Sequence, residues 1–235
     1  MIKEKKNLEQ ISKYYIKKQP SIDKKLLSFR FKTIKKYLKG KRCLEIGSAE
    51  GLMTKYLVKN FDEVTVIEGS QILLDQIPNY RNLVKINELF EEYKPRYKYD
   101  TIILDHVLEH VKEPNIILKK INTLLSLKGV FIVGVPNADS IHRLVAVEMG
   151  ILKKKNELNF RDKILGHRRV YNPSTLKKVL NKNKFKIKNF EGILFKPFSN
   201  NQIEKFLNKN AINGFYKLSK KFPYNCADIC YICTK

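Results

Sequence analysis

Residues 42–51 read RCLEIGSAEG, and this stretch decides the fold. A short apolar run reaches Glu45 and Ile46, then gives way at once to a bend carrying Gly47 and Gly51. Apolar runs of this length bounded by turn residues read as buried strands. Gly47 permits a tight turn, and Gly51 lets the next helix start close to the sheet. In open α/β sheets, ligands bind beyond the carboxyl ends of the strands, where such a bend exposes backbone N–H groups. The spacing Glu45-x-Gly47-x-Ala49-x-Gly51 is not the G-x-G-x-x-G of dinucleotide enzymes.

The same rhythm repeats downstream. Further strands are expected at Glu63–Ile67 (EVTVI), residues 82–86, Tyr99–Asp105 (YDTIILD) and residues 129–135, the last stopped by Pro136. Helices are expected between them at residues 52–58, 71–77 and 115–125. Strands alternating with helices predict a mostly parallel sheet with right-handed crossovers and helices on both faces. Residues 137–170 break the alternation and read as an insertion that forms a lid or acceptor wall. Asn172 and Pro173 suit the start of a helix at 174–180. A sixth strand at 185–195, helices at 201–209 and 214–220, and a last strand at 227–233 complete one domain spanning 1–235. Upstream, residues 1–40 read as a helical cap. Its second helix starts near Ser21 and Asp23, carries Leu26, Leu27, Ile34 and Leu38 on one face, and closes at Gly40.

Two further segments bring chemistry to the strand ends. In VIEGS, residues 66–70, Glu68 ends the second strand 23 positions after Glu45. That is close to the offset at which an acid meets ribose hydroxyls in α/β nucleotide sites. In residues 99–111, Asp105 ends the fourth strand, and His106 and His110 follow it. With His142 and His167, all four histidines fall on this rim or in the insertion above it.

Composition narrows the partners. The formal charge of +24 rests mainly on Lys, with Arg scarce. Arg is the better residue for bidentate phosphate contacts, and no RNA-binding motif accompanies the charge. Biased composition therefore explains it better than a nucleic-acid partner, and an anionic small substrate is compatible with it. Of the four cysteines, Cys43, Cys226, Cys230 and Cys233, no paired CxxC arrangement forms, and an odd separation sends Cys230 and Cys233 to opposite faces of a strand. No metal site is expected. No apolar run is long enough to span a bilayer, and the first twenty residues lack the apolar core of a signal peptide. The expectation is a soluble, cytoplasmic protein.

Taken together, LEIGSAEG, VIEGS and LDHVLEHV resemble the class I S-adenosylmethionine-dependent methyltransferases. LDHVLEHV and GHRRVYNPSTLKKVL are most similar to the bacterial small-molecule branch that includes ubiquinone-biosynthesis-like, sugar-modifying and capsule-modifying enzymes. The resemblance implies a Rossmann-like fold with a seven-stranded sheet and an antiparallel last strand. It implies S-adenosylmethionine as cofactor, with Glu45, Gly47, Ser48 and Gly51 at its methionine part, Glu68, Gly69 and Ser70 at its ribose, and Leu89 and Phe90 flanking the adenine. Asp105 and His106 would lie near its amino end, with Arg30 and Tyr15 capping the carboxylate and covering the site. Ala49 departs from the family, which often has a third glycine there.

A methyl acceptor must be held in line with the donor, and a hydroxyl acceptor gains from a base with pKa near neutrality. His110 and His167 are the candidates for that base. Arg168, Arg169 and His142 are candidates for binding an anionic acceptor. Asp105-His106-Val107-Leu108 lacks the Asn/Asp-Pro-Pro-aromatic tetrad of exocyclic-amine methyltransferases. The expected reaction is therefore O- or N-methylation of a small polar metabolite that is phosphorylated, carboxylated or nucleotide-linked, such as a sugar or a capsule or surface-glycan precursor. The alternatives are an RNA methyltransferase, a non-catalytic dimeric binding protein with a degenerate cofactor site and, more distantly, a dehydrogenase. A homodimer is compatible with the sequence.

Overall fold

The sheet runs β3-β2-β1-β4-β5-β7-β6 in a computed structural model that describes residues 5, 8–13, 21–95 and 97–235. Its strands are β1 Arg42–Ile46, β2 Glu63–Ile67, β3 Leu83–Ile86, β4 Tyr99–Asp105, β5 Leu125–Pro136, β6 Lys186–Ile193 and β7 Asp228–Thr234. The first five pair in parallel, and β7 enters antiparallel between β5 and β6. This is the Rossmann-like α/β architecture expected from the sequence. The order reverses at β1, which lies between β2 and β4, so the ends of those strands frame the switch-point crevice.

Helices are α1 Ser21–Ile34, α2 Thr54–Leu57, α3 Gln71–Leu74, α4 Pro114–Leu124, α5 Ile141–Glu148, α6 Phe160–Ile164, α7 Pro173–Lys182, α8 Asn200–Phe206 and α9 Lys209–Leu218. Alternation along the central strands gives each face its own core. Leu44, Ile102, Leu104 and Phe131 pack with Leu118 and Ile121 of α4 and Leu176 and Leu180 of α7. Cys43, Val64, Val66, Ile103 and Ile132 pack with Leu26 and Phe29 of α1. Cys230 belongs to the second cluster and Cys233 to the first, and all four thiols are free and buried.

Several boundaries differ from those read in the sequence. Helix α1 stops at Ile34, and a single 3-10 turn, Lys35–Tyr37, follows before the chain extends at Leu38. Asp100 sets this stop, because its Oδ2 accepts from the backbone N–H of Lys41 and Arg42 beside left-handed Gly40. Strand β5 begins at Leu125, which pairs with Tyr99 ahead of an irregularity. Helix α9 begins at Lys209, where the Asn208 side chain accepts from Ala211 N. Gly214 lies inside that helix, with nothing near it for a side chain to meet. Within the insertion, Asn159 and Asp162 form a reciprocal capping box that starts α6. Among the described residues, no helix is long and apolar enough to cross a membrane.

Candidate active site at the switch point

The bend after β1 is built from three successive backbone constraints. Gly47 and Gly51 hold φ of +70° and +78°. A side chain at Gly47 would meet Val107 Cγ2 at 2.4 Å, so the loop after β4 can close on the bend only if that position is bare. Between them Ala49 holds φ of +47°, a left-handed conformation that carries a steric cost for any residue with a Cβ. Ala49→Gly is therefore expected to raise stability by about 0.5–1 kcal/mol, the relief of strain exceeding glycine's added chain entropy. A shifted urea midpoint at unchanged slope is the readout; an unshifted midpoint would show that Ala49 is unstrained.

Glu68 leaves the end of β2 and turns onto this bend. It is 7% exposed; Oε2 accepts from Ala49 N at 3.1 Å and Oε1 from Ser70 N at 2.9 Å. Burial raises its pKa, and the backbone donors Ser70, Ala49 and Gly69 work against that rise. Ser70 caps α3 and donates to Glu9, which also accepts from Gln71 N. This ties helical residues 8–13 to the rim. Leu8 and Leu89 crowd Gly69 closely enough that a Cβ there would meet both.

Two cavities open on either side of the bend and share Ile46, Gly47, Ala49 and His106 in their walls. The smaller, about 320 Å³, is mainly apolar and runs past Glu68, Leu89, Phe90, Val107 and Ile117 beneath Leu8 and Ile11. The larger, about 440 Å³, is the more polar of the two and runs from Glu45, Ser48 and Asp105 to His142, His167, Lys196 and Asp228. A nucleoside needs an apolar slot with a carboxylate at its mouth, and the smaller cavity has both features.

The larger cavity holds a dense charge network. Arg30 Nη1 donates to Asp105 Oδ2 at 2.8 Å, and its Nε lies 3.6 Å from Asp228 Oδ2. Gly134 makes room for Asp105, since a Cβ there would come within 2.3 Å of Oδ1. His106, in a left-handed conformation, places Nε2 3.5 Å from Asp228 and Nδ1 3.6 Å from Glu109. Burial and the Arg30 charge lower the His106 pKa, but Asp228 and Asp105 overcome them and raise it. Burial alone would raise Asp228; the charges of His106, Arg30 and Lys196 instead hold it near 2.

Glu45 is buried, accepts from Thr54 Oγ1 at 2.6 Å, and is pushed by burial up to about 8. Its folded pKa exceeds the unfolded one, so the folded state binds the extra proton and stability falls as pH rises between the two values. The melting temperature is expected to drop from pH 6 to pH 8 with a contribution of up to about 1.4 kcal/mol per unit. That contribution should vanish in Glu45→Gln, and an identical pH slope in the variant would contradict it.

The other residues singled out in the sequence fall in three places. His142 and His167 line the larger cavity, whereas His110 lines the smaller one. His167 Nδ1 lies 3.1 Å from Asp162 Oδ1, and its ring meets that of His110 edge-on at 4.6 Å. Burial and the His167 charge push His110 down to about 3. Arg168 and Arg169 line neither cavity. Arg168 donates to His110 O, and Arg169 to the carbonyls of Leu108, Val111 and Lys112, so both tie the insertion to the loop after β4. Tyr15 lies outside the described residues. Although the sequence points to no metal site, Glu109, His110 and His167 each bring one ligand-type atom within 4.8 Å of the others. Lys196, Asp228, Asn137 and Asp162 also line the larger cavity and were not singled out. The one available signal was Asp228, a lone acid opening an otherwise apolar strand.

A methyltransferase-domain family model matches residues 17–188, most of the chain, and the chain belongs to that family. Its fold is the one shared by S-adenosylmethionine-dependent methyltransferases. A solved enzyme of that description from Archaeoglobus fulgidus superposes with a TM-score of 0.61 at 20% identity, over 90% of this chain and 94% of that one. The N-methyltransferase NodS of Bradyrhizobium japonicum, solved with S-adenosyl-L-homocysteine, gives 0.61 at 10% identity over 97% of each chain. In sequence, a ubiquinone biosynthesis O-methyltransferase of Coxiella burnetii is 29% identical over 98 residues, 39% of this chain and 42% of that protein. A highly reducing polyketide synthase of Emericella nidulans is 29% identical over 157 residues, 59% of this chain and 6% of that protein. The chain thus spans less than half the length of these curated relatives.

Proposed function

We propose that the protein is an S-adenosylmethionine-dependent methyltransferase that modifies an oxygen or nitrogen of a small polar metabolite. The observation that carries this reading is Glu68 pinned against the Gly47 bend, where a mainly apolar cavity meets a more polar, charge-lined one. In this reading Glu68 accepts from the ribose hydroxyls, and Leu89 and Phe90 hold the adenine in the smaller cavity. Gly47 and Ser48 border the space for the methionine part, while Asp105 and Glu45 face its ammonium from the larger cavity; Gly51 lines neither cavity and instead lets the bend pack on Ile77. When bound, the cofactor supplies an activated methyl group. The chain's own residues then hold the acceptor in the larger cavity, exclude water and accept its proton. His167, oriented by Asp162 on the wall of that cavity, is the proposed base. His110 is a poor one, because a pKa near 3 leaves it little affinity for a proton.

The acceptor in this reading carries an anionic group, and sugars and surface-glycan precursors head the compounds to screen. Calorimetry with S-adenosylmethionine and NAD tests the cofactor: binding of the first alone is expected, and binding of NAD instead defeats the reading. Transfer of a labelled methyl group onto nucleotide sugars, phosphorylated or carboxylated metabolites and RNA tests the acceptor. Labelling of RNA alone would replace the small-molecule reading. His167→Ala is expected to lower turnover by 10²–10⁴-fold while sparing cofactor affinity; full turnover would leave positioning as the main source of catalysis.

A further inference from the structure

Among the described residues, the arginines in the wall of the larger cavity each meet a carboxylate, and its lysine does not. Arg30 meets Asp105, Arg143 meets Asp162, and Arg161 meets Asp23. Lys196, carried on the segment between β6 and α8, is 8% exposed and has no carboxylate within salt-bridge distance among the described residues. Its Nζ donates to Asn200 Oδ1 at 2.6 Å. Asn200 is itself fixed, because its Nδ2 donates to Asp23 Oδ1 at 2.8 Å. The ammonium is thus held by a neutral amide, and two of its three N–H groups are left for another partner. A buried cation without a counter-ion is costly, and burial accordingly lowers the Lys196 pKa to about 8 despite the opposing charge of Asp228. In the same wall, His142 Nδ1 is shielded from solvent and has no hydrogen-bond partner among the described residues.

We infer that Lys196, positioned by Asn200, receives a singly charged carboxylate of the methyl acceptor, with His142 beside it as a neutral polar contact. A carboxylate brings two oxygens to the two remaining ammonium protons and one charge to the lysine left unpaired among the described residues. A phosphate dianion fits this wall less well: its second charge would face Asp105, Asp228 and Asp23 with no further unpaired Arg or Lys among the described residues to meet it. Arg168 and Arg169 serve elsewhere, since their guanidinium groups donate to loop carbonyls. The inference rests on the methyltransferase reading and narrows its acceptor class.

Reductive methylation by formaldehyde with dimethylamine-borane as the hydride donor, resolved by peptide mass spectrometry at pH 8, reports directly on Lys196. Both reagents are small and uncharged, and the protein is loaded with S-adenosylhomocysteine. Acetate is expected to slow modification of Lys196 several-fold relative to chloride at equal ionic strength, and more than inorganic phosphate does, while exposed lysines are unaffected. Equal rates in acetate and chloride, stronger protection by phosphate, or no modification of Lys196 at all would each overturn the inference. Calorimetry with S-adenosylmethionine on the same protein before it is loaded separates the two levels. Absent S-adenosylmethionine binding defeats the methyltransferase reading, whereas binding without acetate protection defeats only the carboxylate site.

Discussion

Replacing Glu68 by Gln is expected to weaken S-adenosylmethionine binding by about 10- to 100-fold in calorimetry, the equivalent of roughly 1.5–3 kcal/mol for hydrogen bonds to a charged acceptor. The carboxylate is fixed before any ligand arrives, because Ala49 N and Ser70 N each donate to a different oxygen. Its remaining lone pairs are those a pair of vicinal hydroxyls would use. Gln preserves the shape but turns one oxygen into an NH2 group, which must then face one of those backbone donors. The variant therefore loses both the charge that grips the ribose and one of the bonds that aims it. Acid has a related effect. Burial raises the Glu68 pKa, so the charged form is lost at a higher pH than for an ordinary carboxylate, and affinity falls as the pH is lowered through that value. Wild-type affinity in Glu68→Gln, with circular dichroism showing an intact fold, would remove Glu68 from the ribose role.

The parts of the molecule legible in the sequence are those set by local rules. Residues 42–46, 63–67 and 99–105 are strands because short apolar runs ending in glycine or acid have no other way to bury themselves, and their ends gather Gly47, Glu68 and Asp105 by topology alone. What escaped the sequence is set by contacts between distant segments. Leu38 continues the helical pattern of α1, yet Asp100, about sixty positions away, draws the following backbone out of the helix. Arg168 and Arg169 look like anion ligands until the loop after β4 presents three carbonyls to Arg169 and one to Arg168. Lys196 is one lysine among many in the sequence. Only the fold shows that it is buried in a wall where the other cations are paired. The same holds for Glu109, which the sequence does not mark out, yet which is fully buried with neither oxygen hydrogen-bonded among the described residues.

Arg30→Ala is expected to destabilise the protein by about 3–5 kcal/mol at pH 7, because it strands buried acids rather than merely deleting a contact. Arg30 is the cation common to Asp105 at the end of β4 and Asp228 at the start of β7, and its own side chain is only 12% exposed. Without it, Asp228 keeps His106 at 3.5 Å and the more distant Lys196 charge, while Asp105 loses its 2.8 Å partner. The pH dependence gives the test its sign. Asp228 is held near 2, below the ordinary carboxylate value, so its ionised form contributes stability above about pH 4 that is lost as the pH falls toward 2. Arg30 supplies part of that depression. The gap between wild type and variant should therefore be widest near neutrality and narrow on acidification, as the stranded acids become protonated. Arg30→Lys should fall between the two, since an ammonium cannot span both carboxylates as the guanidinium does. Urea unfolding at pH 7 and pH 3 reads both the size and the trend. A variant as stable as wild type at pH 7, or a gap that widens in acid, would mean that the acids of this cavity are stabilised by something other than Arg30.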